Sequence, residues 1–223
     1  MSSTFAPATW RFLDDLAADN TKATFEDRRD AYEADVVAPS VALVEALAGL
    51  LPERVHPGLQ ADPAVGRSRF RLHRDLRFAK DKTPFHTHLD FLFWLGAGPA
   101  RQQPACILRL TSTEVLLGAG QLGLRGEALD RYRTRLVDPV EGAAVRAIVE
   151  GRRAAGAVLS DPARARVPRP YAADDPSAEL LRRDGFHLTT TQPHPEAIVT
   201  DACASWCAER WAPYAPLLDW LAA

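Results

Sequence analysis

Cysteine is scarce in this chain and badly spaced for cross-linking. Cys106, Cys203 and Cys207 are odd in number, and the i, i+4 pair Cys203/Cys207 has no second pair near it in sequence. That spacing argues against a disulfide framework and a structural zinc site, so the thiols are read as small core residues. The amino-terminal stretch MSSTFAPATWRFLDDLAADN lacks a basic segment followed by an apolar one, and no export leader is expected. No run approaches the roughly 20 apolar residues of a membrane span. A strong excess of one charge is also missing. The formal net charge of -2 argues against a protein that coats nucleic acid over its whole surface, although a local patch stays open. The expected location is the cytoplasm, with no membrane partner, and the Ala- and Arg-rich composition suits a GC-rich bacterial genome.

What remains is an ordinary globular composition, 47% hydrophobic and 25% charged over 223 residues, enough for one good core in a single domain, 1–223. Trp10, Leu13, Leu16 and Ala17 recur at helical spacing and predict a first helix ending near Asn20. Thr24, with Asp27 three residues on, reads as the cap of a long second helix whose apolar face holds Phe25, Tyr32, Val36, Val41, Val44 and Leu47. Pro39 should kink or divide that helix. Residues 51–66 read as a loop on their Pro and Gly content.

The middle is β-rich, with strands expected at Ser68–His73, Thr87–Leu95, Ala105–Leu110 and Glu114–Leu117. Short polar turns between them suit antiparallel meanders. Helices follow at about Gly126–Leu136 and Val140–Ala155, the latter opened by Asp138 as cap and Pro139 at its first position. After a Pro/Arg-rich loop, Ser160–Asp174, come a short helix capped by Asp175-Pro176, a last strand at Phe186–Thr190, and a helical aromatic tail broken by Pro213 and Pro216. The fold class is α+β: an antiparallel sheet of four to six strands covered by the N- and C-terminal helices.

Residues 67–88, RSRFRLHRDLRFAKDKTPFHTH, stand out. Seven cations (Arg67, Arg69, Arg71, Arg74, Arg77, Lys80, Lys82) against Asp75 and Asp81 give +5, so the rest of the chain carries about -7. Three of the six histidines, His73, His86 and His88, fall here as well. Guanidinium forks suit phosphate or carboxylate, and Lys supplies a point charge. A strand followed by this loop would make a cradle for an anion. The same residues also suit an internal ion-pair scaffold, with Asp75 and Asp81 holding the neighbouring cations.

The stretch Arg74-Asp75-Leu76-Arg77-Phe78-Ala79-Lys80-Asp81-Lys82-Thr83-Pro84-Phe85 resembles the R-D-x-R-F-[SA]-K-D-K-x-P-[YF] signature of a bacterial and fungal family, domain of unknown function 2461. The resemblance spans nearly the whole chain: Asn20 to Tyr32, Leu117-Gly118-Ala119-Gly120, and Arg166 to Tyr171 followed by Asp174-Asp175-Pro176 and Glu179-Leu180-Leu181. Thr24 stands where that family usually has Trp, His86 where it has Lys, Pro170 where it has Gly and Asp175 where it has His. The resemblance implies no activity. It does weigh against a purely solvated loop, since exposed polar loops so often carry function.

Other constellations are weaker. His86, His88 and Asp90 form a two-His, one-carboxylate set, but along a regular strand they span roughly 13 Å, too far for one ion. No metal site is expected. Ser205, Ser112 and Thr113 lack the setting of an activated nucleophile. Gly118-x-Gly120 and Gly123 make neither a P-loop nor a dinucleotide fingerprint and read as a tight hairpin turn, so no cofactor is expected. Asp75, Asp81 and His73 are the acid/base candidates, with carboxyls depressed by neighbouring cations.

The leading expectation is recognition of a phosphorylated or other anionic small molecule by Arg71, Arg74, Arg77, Lys80 and Lys82. Asp75 and Asp81 would orient those cations, and Arg169 and Tyr171 from the later loop would close the site. Two rivals use other chemistry. One is a nucleic-acid-binding module on the same patch, with Phe78 and Phe85 as stacking rings. The other is a non-catalytic interaction protein that docks through Trp206, Trp211, Tyr214 and Trp220. Whether the protein is an enzyme, and its oligomeric state, are not legible.

Overall fold

Successive strand residues point to opposite faces of a sheet, and here the two faces differ sharply in composition. The structure, a computed structural model, describes residues 5–223. The first four residues of the stretch read above for a leader lie outside the described residues. Six strands form one antiparallel sheet in the order β1-β2-β3-β4-β6-β5: β1 Leu59–Gln60, β2 Leu89–Leu95, β3 Ala105–Leu110, β4 Glu114–Leu122, β5 Val158–Leu159 and β6 Gly185–Pro193. On one face Phe91, Phe93, Cys106, Leu108, Val115, Ala119, Phe186 and Leu188 are essentially fully buried. On the other, Asp90, Leu92, Ile107, Arg109, Leu116 and Thr189 keep partial exposure.

The helices gather on the buried face. Phe5, just before α1 (Pro7–Ala18), meets Phe91 edge-on. The short α2 (Lys22–Asp27) contributes Phe25 to the same core. Trp211 of α8 (Cys203–Trp211) packs on Phe93, and Tyr132 of α5 (Gly126–Val137) reaches Phe186. Helices α6 (Pro139–Ala154), α7 (Ala178–Leu181) and α9 (Ala215–Ala222) complete the layer. This is the expected α+β arrangement. Asp138 caps α6 as the sequence indicates, its Oδ1 accepting from Val140 N at 2.9 Å and Glu141 N at 2.8 Å.

Several boundaries differ from expectation. The cap of α2 is Thr21, whose hydroxyl accepts from Thr24 N at 3.2 Å, so Thr24 lies one turn inside. Helices α3 (Arg29–Tyr32) and α4 (Ala38–Arg54) are joined by a π-turn, Glu33–Val37, just ahead of Pro39. Pro39 cannot donate to the carbonyl four residues back, Asp35 O; the Thr9 hydroxyl of α1 donates to it instead at 2.7 Å. Continuity through this turn makes Arg29–Arg54 a run of 26 residues, long and apolar enough to cross a membrane by length and composition, where the sequence reading found none. Its Val36, Leu43, Val44, Leu47 and Leu51 are buried in the core. The expected loop at 51 begins only after Arg54, and β1 lies within it.

The glycines of 118–120 are not a turn. They lie inside β4, with Gly118 opposite Thr189 and Gly120 opposite His187 in β6. A Cβ on Gly118 would overlap Leu188 O and lie 2.7 Å from Thr189 Cα, so the two backbones approach too closely for any side chain. Gly118→Ala is therefore expected to lower unfolding stability by about 2 kcal/mol or more, measured by urea denaturation. An unchanged midpoint would show that β6 can yield.

Candidate functional site

Residues 68–74 do not form the regular strand the alternation suggested. They run beside 84–92 as an irregular antiparallel hairpin, held by Arg74 N to Pro84 O (2.8 Å), His86 N to Leu72 O (2.7 Å), Phe70 N to Asp90 O (3.1 Å) and Leu92 N to Ser68 O (2.9 Å). The bridges Arg69↔Phe91 and His73↔Phe85 leave residues 70–72 facing 86–90, so the second arm bulges by two residues. Asn20 pins the hairpin to the helical layer: its amide donates to Phe85 O and accepts from Phe85 N, both at 3.0 Å. Phe85 stacks on Phe25 with ring centroids 4.4 Å apart, so it belongs to the core and offers no stacking face to a ligand. Asn20 was not singled out from the sequence for this; its signals there were its place at the end of the first expected helix and at the start of the family-like Asn20–Tyr32 stretch.

The tip of the hairpin, 75–83, holds most of the basic motif, and its charges are largely paired within it. Arg74 Nη1 donates to Asp81 Oδ2 at 2.5 Å, to Thr83 O at 3.1 Å and to the Thr83 hydroxyl. Arg77 grips Asp75 through Nε (3.0 Å) and Nη2 (2.6 Å). Lys82 Nζ donates to Leu76 O at 3.0 Å. Bonding to the Arg77 guanidinium and backbone holds Asp75 down at about 2. The Thr83 N–H and hydroxyl, with Arg74, hold Asp81 at about 2. Both carboxylates stay ionised as orienters of their cations. Lys80 is exposed, and Phe78 is 95% exposed at the apex.

Between the hairpin and the uncovered sheet face lies a cleft of about 880 Å³. Phe70, Arg71, His73, Asp75, His86 and His88 form its hairpin wall; Asp90, Leu92, Ala105, Ile107, Gly120 and Leu122 form its floor; Ala100, Arg101 and Gln103 close one side. Asp90 takes a bidentate pair from Arg109 across the β2–β3 register, Nε to Oδ1 at 2.6 Å and Nη2 to Oδ2 at 2.9 Å, and His88 Nε2 stands 3.3 Å from the same Oδ2. Burial opposes ionisation of Asp90, but the His88 and Arg109 contacts outweigh it and hold the carboxyl at about 2. Burial also lowers the pKa of His86 and of His73, helped by the charges of His88 and Arg71 respectively.

Each carboxylate of the cleft is thus matched by a guanidinium, Asp75 by Arg77 and Asp90 by Arg109. Arg71 and Arg101 have no hydrogen bond or ion pair among the described residues; Arg101 lies over the Phe70 ring at 4.4 Å. The bulge does draw His86 and His88 together, with ring centroids 4.9 Å apart. Still, no group of three or more His, Cys, Asp or Glu side chains among the described residues could hold a metal ion.

Of the residues expected to bind, Arg71 and Asp75 line the cleft, and Arg74, Arg77, Lys80, Asp81 and Lys82 build the loop at its rim. Arg169 and Tyr171 do not line it. They flank Pro170, joined to Arg169 by a cis bond, in the connection between β5 and β6, and Tyr171 packs against the core. Trp211, Tyr214 and Trp220 are buried in that core, so no docking face is made of their rings.

A one-sidedly covered antiparallel sheet, carrying a basic hairpin over its open face, defines the class of protein. The chain belongs to the family of conserved hypothetical proteins DUF2461, whose model matches residues 8–220. No curated protein and no solved structure matches it.

The Asp90–Arg109 pair carries a pH signature. A carboxyl depressed in the folded state stabilises above its unfolded pKa, near 4, and that contribution is lost as pH falls through about 2. Wild type is expected to lose on the order of 2 kcal/mol more than Asp90→Asn between pH 4.5 and 2 in urea titrations. Parallel losses would show that the pair contributes nothing.

Proposed function

We propose that the protein binds a small organic anion in the cleft between the basic hairpin and the open sheet face, with Arg71 as the principal anion contact. The observation that carries this reading is the charge balance: both carboxylates are already paired, while Arg71 and Arg101 are not. His86 and His88 supply further donors beside them. Arg74, Arg77 and Lys82, bound to their own loop, serve to hold the hairpin in place rather than to grip the ligand. Three buried free thiols suit a reducing compartment, and the cytoplasm is the location we favour.

Thermal-shift and calorimetric titration against phosphate monoesters and carboxylates tests this. Arg71→Ala is expected to weaken binding at least tenfold, the loss of a charge-assisted hydrogen bond. Lys80→Ala leaves it within about twofold, since Lys80 is exposed on the loop and does not line the cleft. Binding that survives Arg71→Ala but fails in Lys80→Ala would move the site to the loop.

One observation favours a second reading. Phe78, 95% exposed between Arg77 and Lys80, is the arrangement on which a single-stranded base stacks. Three phosphate contacts at the tip would give a log–log salt slope of about -2 with a single-stranded oligonucleotide, and Phe78→Ser would weaken binding about tenfold at an unchanged slope. A flat low-salt titration removes this reading.

A further inference from the structure

The cleft floor changes character along the strands. Its first row is the Asp90–Arg109 pair. Two residues on, roughly 7 Å away by the strand rise, Leu92 faces Ile107, both partly exposed, with the short 3-10 turn Ala100–Gln102 packed beside Leu92. Two residues further, Trp94, Ala105, Gly120 and His187 share a row; Trp94 and Ala105 are buried beside Ala100, and between Trp94 and His187 no side chain is taller than a methyl. The Gly120 backbone lies against His187 too closely to admit a Cβ, so this low floor is fixed by the packing of β4 on β6. Beyond it Leu122 stands 49% exposed, and Val65 across the cleft 55% exposed. An exposed apolar row running away from a cluster of imidazoles and an unpaired guanidinium is costly in water unless something apolar covers it.

From this gradient we propose that the ligand is an amphiphilic anion: a carboxylate or phosphate monoester whose body is an acyl chain or an aryl ring. The anionic group lies at the Arg71, His86 and His88 end. The apolar body lies over Leu92 and Ile107 and reaches the gap above Ala105 and Gly120. Inorganic phosphate and sugar phosphates leave that floor wet and bind weakly. The size of the cleft, about 880 Å³, accommodates a body of drug-like size. This inference rests on the anion reading of the same cleft, and the two fail differently.

The experiment is calorimetric titration with acetate, butyrate, hexanoate and octanoate, beside inorganic phosphate, phenyl phosphate and the neutral 1-octanol. Affinity is expected to rise about fourfold per methylene until the floor is covered, and phenyl phosphate to bind well above phosphate. Ile107→Ser flattens the chain-length series, whereas Arg71→Ala lowers every member by a similar factor. Leu122→Ser, on a half-exposed side chain, provides the same flattening should Ile107→Ser fail to fold. If phosphate and acetate bind as tightly as octanoate, the apolar body is wrong and the anion site stands. If 1-octanol binds as tightly as octanoate, the anion site itself is wrong. If none of the probes binds, both fall.

Discussion

Everything distinctive about this protein follows from a sheet whose two faces are treated differently. Phe91, Phe93, Cys106, Leu108, Phe186 and Leu188 alternate with Asp90, Leu92, Ile107, Arg109, His187 and Thr189, and the first set is fully buried in the core with the α-helices while the second keeps partial exposure. Burial of the first set fixes the register, because a shift by one residue would drive Asp90 and Arg109 into the helical layer. The close approach of β4 and β6 over Gly118 and Gly120 belongs to the same constraint. It keeps the open face low at the row where Ala105 meets Gly120, and the hairpin of residues 68–92 then roofs that face to make a cleft.

Electrostatics inside the hairpin decide which cations are available. A sum of +5 over residues 67–88 suggests a uniform anion cradle, but charge is local. Asp75 and Asp81 each lie within hydrogen-bond reach of an arginine, and short charge-assisted bonds in an exposed loop are made before any ligand arrives. Arg71 sits in the arm rather than the tip; its charge reaches Asp75, but no carboxylate lies within ion-pair distance of it. In the proposed reading scaffold and site are two parts of one motif, divided by which cations are held in an ion pair.

The elements most legible in the sequence were those specified by local chemistry. Asp138 followed by Pro139 gave the start of α6 because a capping carboxylate and a preset φ act within one turn. The strand expected at Ala105–Leu110 has those same bounds in the structure. What could not be read required a distant neighbour. The glycines of β4 look like a turn until β6, over sixty residues away, is placed against them. The helix through Pro39 stays continuous because Thr9 supplies the bond that proline cannot. The basic segment stands out in the sequence, yet the bulge that turns His86 and His88 into one wall comes from the pairing of 69–73 with 85–91, and Arg169 and Tyr171 lie apart from that wall.

The central claim is that the ligand lies in the cleft and not on the hairpin tip. Chemical-shift mapping of isotopically labelled protein titrated with phenyl phosphate addresses it most directly. The account predicts saturable shifts at Arg71, His86, His88, Leu92 and Ile107, with residues 77–82 nearly unmoved. Shifts confined to Arg77, Phe78, Lys80 and Lys82 would contradict it.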